Sequence, residues 1–133
     1  MLRSSLTAAA LSMALAIGTA GAAEPPTIVK RQTVAGKDVL VRGFAEFDAS
    51  CNLVRVQTVA VVAAPQNGKV ETRPGPVVVG TNWVGGGHCE GTTLQGVNVF
   101  YVPAPGYRGS DRFSLDIGYT RRTLRVEVEV EVR

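Results

Sequence analysis

The side chains able to do chemistry in this sequence are few: Cys51 and Cys89, the single histidine His88, the single tryptophan Trp83, and the carboxylates Asp48, Glu90 and Asp111. A thiol nucleophile needs a base beside it, and a hydrolytic site needs a nucleophile and a base held together. A catalytic zinc needs three protein ligands. One histidine supplies none of these sets. Its neighbour Cys89 would point to the opposite face if the segment were a strand, so a Cys–His pair or shared metal site is awkward there. The expectation is therefore no catalytic residue, no metal, no cofactor and no enzyme activity. Trp83, His88 and Glu90 remain as candidate contacts for a ligand. They share a glycine-rich stretch, GTNWVGGGHCEG from Gly80 to Gly91, that suits neither a helix nor a regular strand. Trp83 has two readings, a stacking platform for a small ligand or glycan, and a ring packed on the core or the disulfide.

Those residues must be positioned by what surrounds them, beginning with the N-terminus. Met1-Leu2-Arg3 is followed by an apolar run from Leu6 to Ile17 and then by small residues up to Ala23. A basic start, a short apolar stretch and an A-x-A-like site mark a secretory signal over residues 1–23, cut after Ala22 or Ala23. The run is shorter than the ~20 residues that span a bilayer, so no membrane span is expected in the mature form. Residues 24–133 then form one domain, periplasmic or secreted. In such a chain two cysteines read as one disulfide, Cys51–Cys89. Closing that loop is worth about 4 kcal/mol in the chain-entropy account.

The formal charge is +3 and the arginines are scattered along the chain. Nucleic-acid binding wants a clustered basic face with interleaved aromatics, so nucleic acid is excluded as a partner. The expected partner is a protein or another component of the cell envelope.

Past the signal nothing has helical periodicity. Period-two alternation puts Val97, Val99 and Tyr101 on one strand face, and Phe113, Leu115 and Ile117 on another. Between them Pro103, Pro105, Gly106 and Gly109 force a turn, where Asp111 is placed to accept hydrogen bonds from turn amides, with help from Ser110. Residues 124–133 (LRVEVEVEVR) alternate strictly, with three outward glutamates placed to oppose edge-to-edge pairing. Arg121-Arg122 reads as a hairpin tip. Residues 27–34 read as an edge strand, and residues 38–47 as a strand with a bulge at Gly43. Residues 53–64 read as a long central strand ending in a hairpin at Asn67-Gly68. The returning strand over residues 69–73 should be interrupted by Pro74-Gly75-Pro76. The sum is an all-β, Ig-like antiparallel sandwich of about seven to eight strands.

The run APQNGKV, followed after a gap by VFYVPAPGYRGSDRFSLDI, resembles bacterial Ig-like and cadherin-like domains. The matching positions are Pro65, Gly68, Tyr101, Pro103, Gly106, Tyr107, Gly109, Asp111 and Phe113, within residues 59–133. The resemblance implies a β-sandwich that serves as a spacer, an adhesive or a protein-interaction module.

Overall fold

The computed structural model describes Gly18, residues 24–81, Trp83 and residues 87–133. The export signal expected over residues 1–23 lies outside the described residues, apart from Gly18. Residues 82 and 84–86 of the glycine-rich stretch also lie outside them.

Nine strands follow one another: β1 (Thr27–Thr33), β2 (Val39–Phe44), β3 (Glu46–Phe47), β4 (Leu53–Arg55), β5 (Thr58–Ala63), β6 (Gly68–Val78), β7 (Thr93–Pro103), β8 (Gly109–Gly118) and β9 (Thr123–Val132). They form a four-stranded sheet in the order β1-β9-β8-β5, a three-stranded sheet β2-β7-β6, and a two-stranded ribbon β3-β4. All pairings are antiparallel except β1 with β9, which is parallel from Thr27↔Val126 to Thr33↔Val132.

The two larger sheets pack face to face, as expected of an all-β sandwich. The alternation of β7, β8 and β9 places Val97, Val99, Tyr101, Phe113, Leu115, Ile117 and four valines of β9 in one core, with Val29, Val41 and Phe44 across from them. Each valine or leucine so buried contributes about 1.5–3 kcal/mol relative to exposure. A second, smaller cluster of Ala45, Val77, Val79, Cys89 and Leu94 closes one end of the sandwich.

Several local expectations fail, each for a reason of position. The long strand over residues 53–64 is two strands, broken where Gln57 turns inward and donates from Nε2 to Glu46 at 3.3 Å. Its second half, β5, is an edge strand and not a central one. Val61 and Val62 there are 47% and 49% exposed. β-Branched composition marks a strand but not its place in the sheet. Asn67-Gly68 makes no hairpin, because β5 pairs with β8 and β6 pairs with β7. Gly68 is needed for close approach instead: a Cβ there would stand 2.6 Å from the Tyr101 ring.

Pro74 and Pro76 do not interrupt β6, which pairs with β7 along its whole length. β6 is an edge strand, and the two prolines share one parity, so both missing donors face the open side. The bulge in β2 falls between Leu40 and Arg42, not at Gly43. It shifts the inward set from Val41 to Phe44. Gly43 lies close against the next strands, where a Cβ would meet Asn98 at 2.8 Å and Val77 at 2.9 Å. The glutamates of β9 guard no edge, since β9 is interior. Glu129 instead lies 3.7 Å from both Lys30 and Arg112.

Candidate functional site

The loops gather at two opposite ends. At one end are residues 34–38, 64–67 and 104–108, and at the other are residues 48–52, 79–81, 83, 87–92 and 119–122.

The first end holds Pro103, Gly106, Gly109 and Asp111. Pro103 ends β7 opposite Gly68, while Gly106 and Gly109 take positive φ of 77° and 131°. The Asp111 carboxylate is buried and collects four donors. They are the amides of Gln66 (3.0 Å), Asn67 (2.9 Å) and Arg112 (2.9 Å), and the Tyr101 hydroxyl (2.8 Å). Two of these amides belong to the β5–β6 crossover, so Asp111 ties two loops and both sheets rather than its own turn. Ser110 takes no part, and its hydroxyl donates to Glu131 at 2.7 Å. Burial works against the Asp111 charge, yet the hydrogen bonds prevail and hold the carboxyl below the usual carboxylate range. Burial first, and then the bond to Asp111, push the Tyr101 phenol well above its ordinary value. Both carboxylate oxygens of Asp111 are thus engaged by donors of the fold itself.

The second end is built around a covalent tie. Cys51 and Cys89 form a disulfide with Cα atoms 5.4 Å apart. Asp48 shapes the first loop by accepting from the amides of Ser50 (2.9 Å) and Asn52 (3.0 Å), and Cys51 sits at φ 62°. The second loop is closed by the Val79 and Thr92 backbones at 2.9 Å and by the Gly91 amide on the Val79 carbonyl at 2.9 Å.

Residues 87–91 are turns, not strand, and this corrects the expectation that His88 and Cys89 face apart. Ligand atoms of Cys51, His88 and Cys89 lie within 4.8 Å of one another. Both sulfurs are bonded to each other, and His88 Nε2 donates to the Ala49 carbonyl at 2.6 Å. The imidazole thus serves as a second tie between the two loops. Glu90 is exposed to solvent. The three carboxylates do not converge: Asp48 is used within its loop, and Asp111 is at the far end.

Trp83 is half-buried. Its ring packs on the small cluster beside Cys51 and stacks on Phe47 with centroids 6.2 Å apart and planes 24° from parallel. The exposed part forms a wall of an open groove of ≈ 990 Å³ running under the β8–β9 hairpin. His88 and Glu90 are not among the lining residues, so the three candidate contacts are separated, with Trp83 alone at the groove.

The other groove residues were not singled out by their spacing in the sequence. The Arg42 guanidinium lies 5.7 Å from the ring centroids of both Phe44 and Trp83, and that of Arg122 lies 5.6 Å from Tyr119. Such placements over aromatic faces are attractive and hold the guanidinium still. Glu46 turns toward the hairpin, accepting from the Thr120 amide (3.1 Å) and hydroxyl (3.0 Å) as well as from Gln57. Burial raises the Tyr119 phenol above its usual value, while Arg42 and Arg122 pull it the other way. Both guanidiniums therefore act on the same patch. Arg42 did give a signal, as a charge within an otherwise apolar strand, and so did Tyr119, as an aromatic beside a hairpin tip.

No protein-family model matches this chain, and no curated protein matches it in sequence.

Proposed function

We propose that this chain is an exported, non-catalytic Ig-like module that binds a protein or cell-envelope partner through the groove at its disulfide-tied end. The strand order supports the Ig-like assignment. With the strands lettered in chain order and β3-β4 set aside, β2-β7-β6 corresponds to B-E-D, and β9-β8-β5 to G-F-C. The disulfide departs from that pattern, since it joins two loops at one end rather than the two sheets. A disulfide is compatible with an oxidising compartment, periplasmic or extracellular.

The observation that carries the reading is the groove itself. A loop held by the disulfide presents Trp83, while Tyr119 and Arg122 come from the β8–β9 hairpin and Arg42 from β2, an arrangement suited to recognition because part of the ordering cost is already met. Adhesion and structural roles belong to the same reading, each requiring a partner at this end. A second reading, a small-ligand or glycan site, is favoured by one observation: Trp83 is not sealed in the core but keeps a face on the groove.

Capture from a periplasmic extract tests the first reading, with wild type and Trp83→Ala as parallel baits and thermal stability measured for both. Support would be a defined partner held by wild type and lost by the folded variant. Capture indifferent to Trp83 would remove the groove from the account.

A further inference from the structure

We propose that the groove receives an extended acidic segment of a partner protein, with an apolar side chain against the Trp83–Phe47 wall and a carboxylate on Arg42 and Arg122. The proposal rests on the reading of the chain as a binding module and names the chemistry that module selects.

Three observations carry it. The first is unspent positive charge. Among the described residues Arg31, Arg42, Arg108, Arg121, Arg122 and Arg133 have no carboxylate within ion-pair distance, and three of these, Arg42, Arg121 and Arg122, come together in the lining of the groove. Arg55, Arg73, Arg112 and Arg125 do have carboxylate partners, and none of the four is in the lining. The second is the state of a carboxylate in that lining. Glu46 is directed to Thr120 and Gln57 and leaves the groove arginines unpaired. The third is the wall, where Phe47, Trp83, Tyr119 and Leu124 offer apolar surface beside those guanidiniums.

A guanidinium fork matches a carboxylate with two parallel hydrogen bonds, and Arg42 is already steadied between two rings. Arg, Trp and Tyr together are also the composition of strong protein-interface contacts. A neutral glycan fits less well. Its hydroxyls need free carboxylate or amide acceptors; Glu46 already has its donors, which leaves Glu24 as the acceptor carboxylate of the lining, against three guanidiniums. The volume, ≈ 990 Å³, is at the upper end of ordinary ligand clefts, which suits a few residues of peptide.

The test is selection of a phage-displayed library of random dodecapeptides on the immobilised protein, at low and at high salt, beside an oligosaccharide array. The expected result is enrichment of peptides with Asp or Glu next to an aromatic or aliphatic residue, weakened by salt. A synthetic consensus peptide should shift the emission of Trp83, the single tryptophan. Its affinity should fall about tenfold when its acids become amides, and about tenfold in Arg42→Gln and in Arg122→Gln. Arg122 stands exposed at a hairpin tip, so its variant serves even if Arg42→Gln unfolds. Enrichment of neutral peptides, or affinity unchanged in Arg122→Gln and in any folded Arg42→Gln, overturns the acidic assignment and leaves the binding module standing. A glycan bound by wild type and lost by Trp83→Ala overturns the peptide but keeps the groove. No binder of either kind overturns both proposals.

Discussion

The Asp111 end and the Trp83 end of this sandwich solve the same problem, fixing loops over a sheet, by opposite means. At the first, one buried carboxylate gathers three amides and a phenol, and the loops are held by hydrogen bonds that engage both oxygens of the group. At the second, a disulfide and an imidazole–carbonyl contact hold the loops, which leaves aromatic rings and guanidinium groups free to face a groove. A fold that commits its polar groups to itself closes an end. At the tied end Asp48, His88 and Glu46 are likewise committed to the fold, and the groups left over are the guanidiniums of Arg42, Arg121 and Arg122.

The largest effect should come from removing residues 128–133, which strips β8 and β1 of their partners over the closed half of the sandwich. Three buried valines, each worth about 1.5 kcal/mol or more, go with them. Cooperative unfolding in urea should disappear. A sharp transition in the truncated chain would show that the open end folds without the closed one.

Replacing both cysteines by serine should cost about 4 kcal/mol in the same assay, since the bridge spans 38 residues. Groove binding should be lost with it, while the near-ultraviolet signal of Tyr101 persists. A cost below about 1 kcal/mol would mean that the His88–Ala49 contact and the small core hold that end alone.

Asp111→Ala should cost about 3 kcal/mol, because several buried donors lose their acceptor at once. The pH dependence sharpens this. The folded carboxyl is depressed, so its stabilisation is present above the unfolded value of about 3.9 and is lost as pH falls through the folded one. Asp111→Asn should flatten the acid limb of a stability–pH curve, and an unchanged limb would assign that limb to Asp38, Glu71 and Asp116.

Trp83→Ala should cost about 2 kcal/mol, roughly half of a fully buried ring, because only part of it is packed. A cost above about 4 kcal/mol would make Trp83 core and close the comparison.

What the sequence disclosed divides along the same line. Alternation in β7, β8 and β9 is local, so Tyr101, Phe113 and the β9 valines could be placed inside from spacing alone. Two cysteines allow one pairing. Edge position, by contrast, depends on which strand arrives alongside, so Thr58–Ala63 read as central although it lies at a margin. For the same reason the prolines of β6 read as breaks. The groove was hidden because Arg42, Phe47, Trp83, Tyr119 and Arg122 come from four separate segments. Only the topology brings those segments to one end.

The parallel pairing of β1 with β9 has a mechanical meaning. Seven register pairs, from Thr27↔Val126 to Thr33↔Val132, join the first strand to the last with their directions aligned. Tension between Thr27 and Val132 pulls the two strands lengthwise past each other. The bonds of the ladder, evenly spaced in a parallel pair, then share the load and do not open one at a time. Thr27 also lines the groove, so the strand pair that completes the sheet has one end of its ladder at that site.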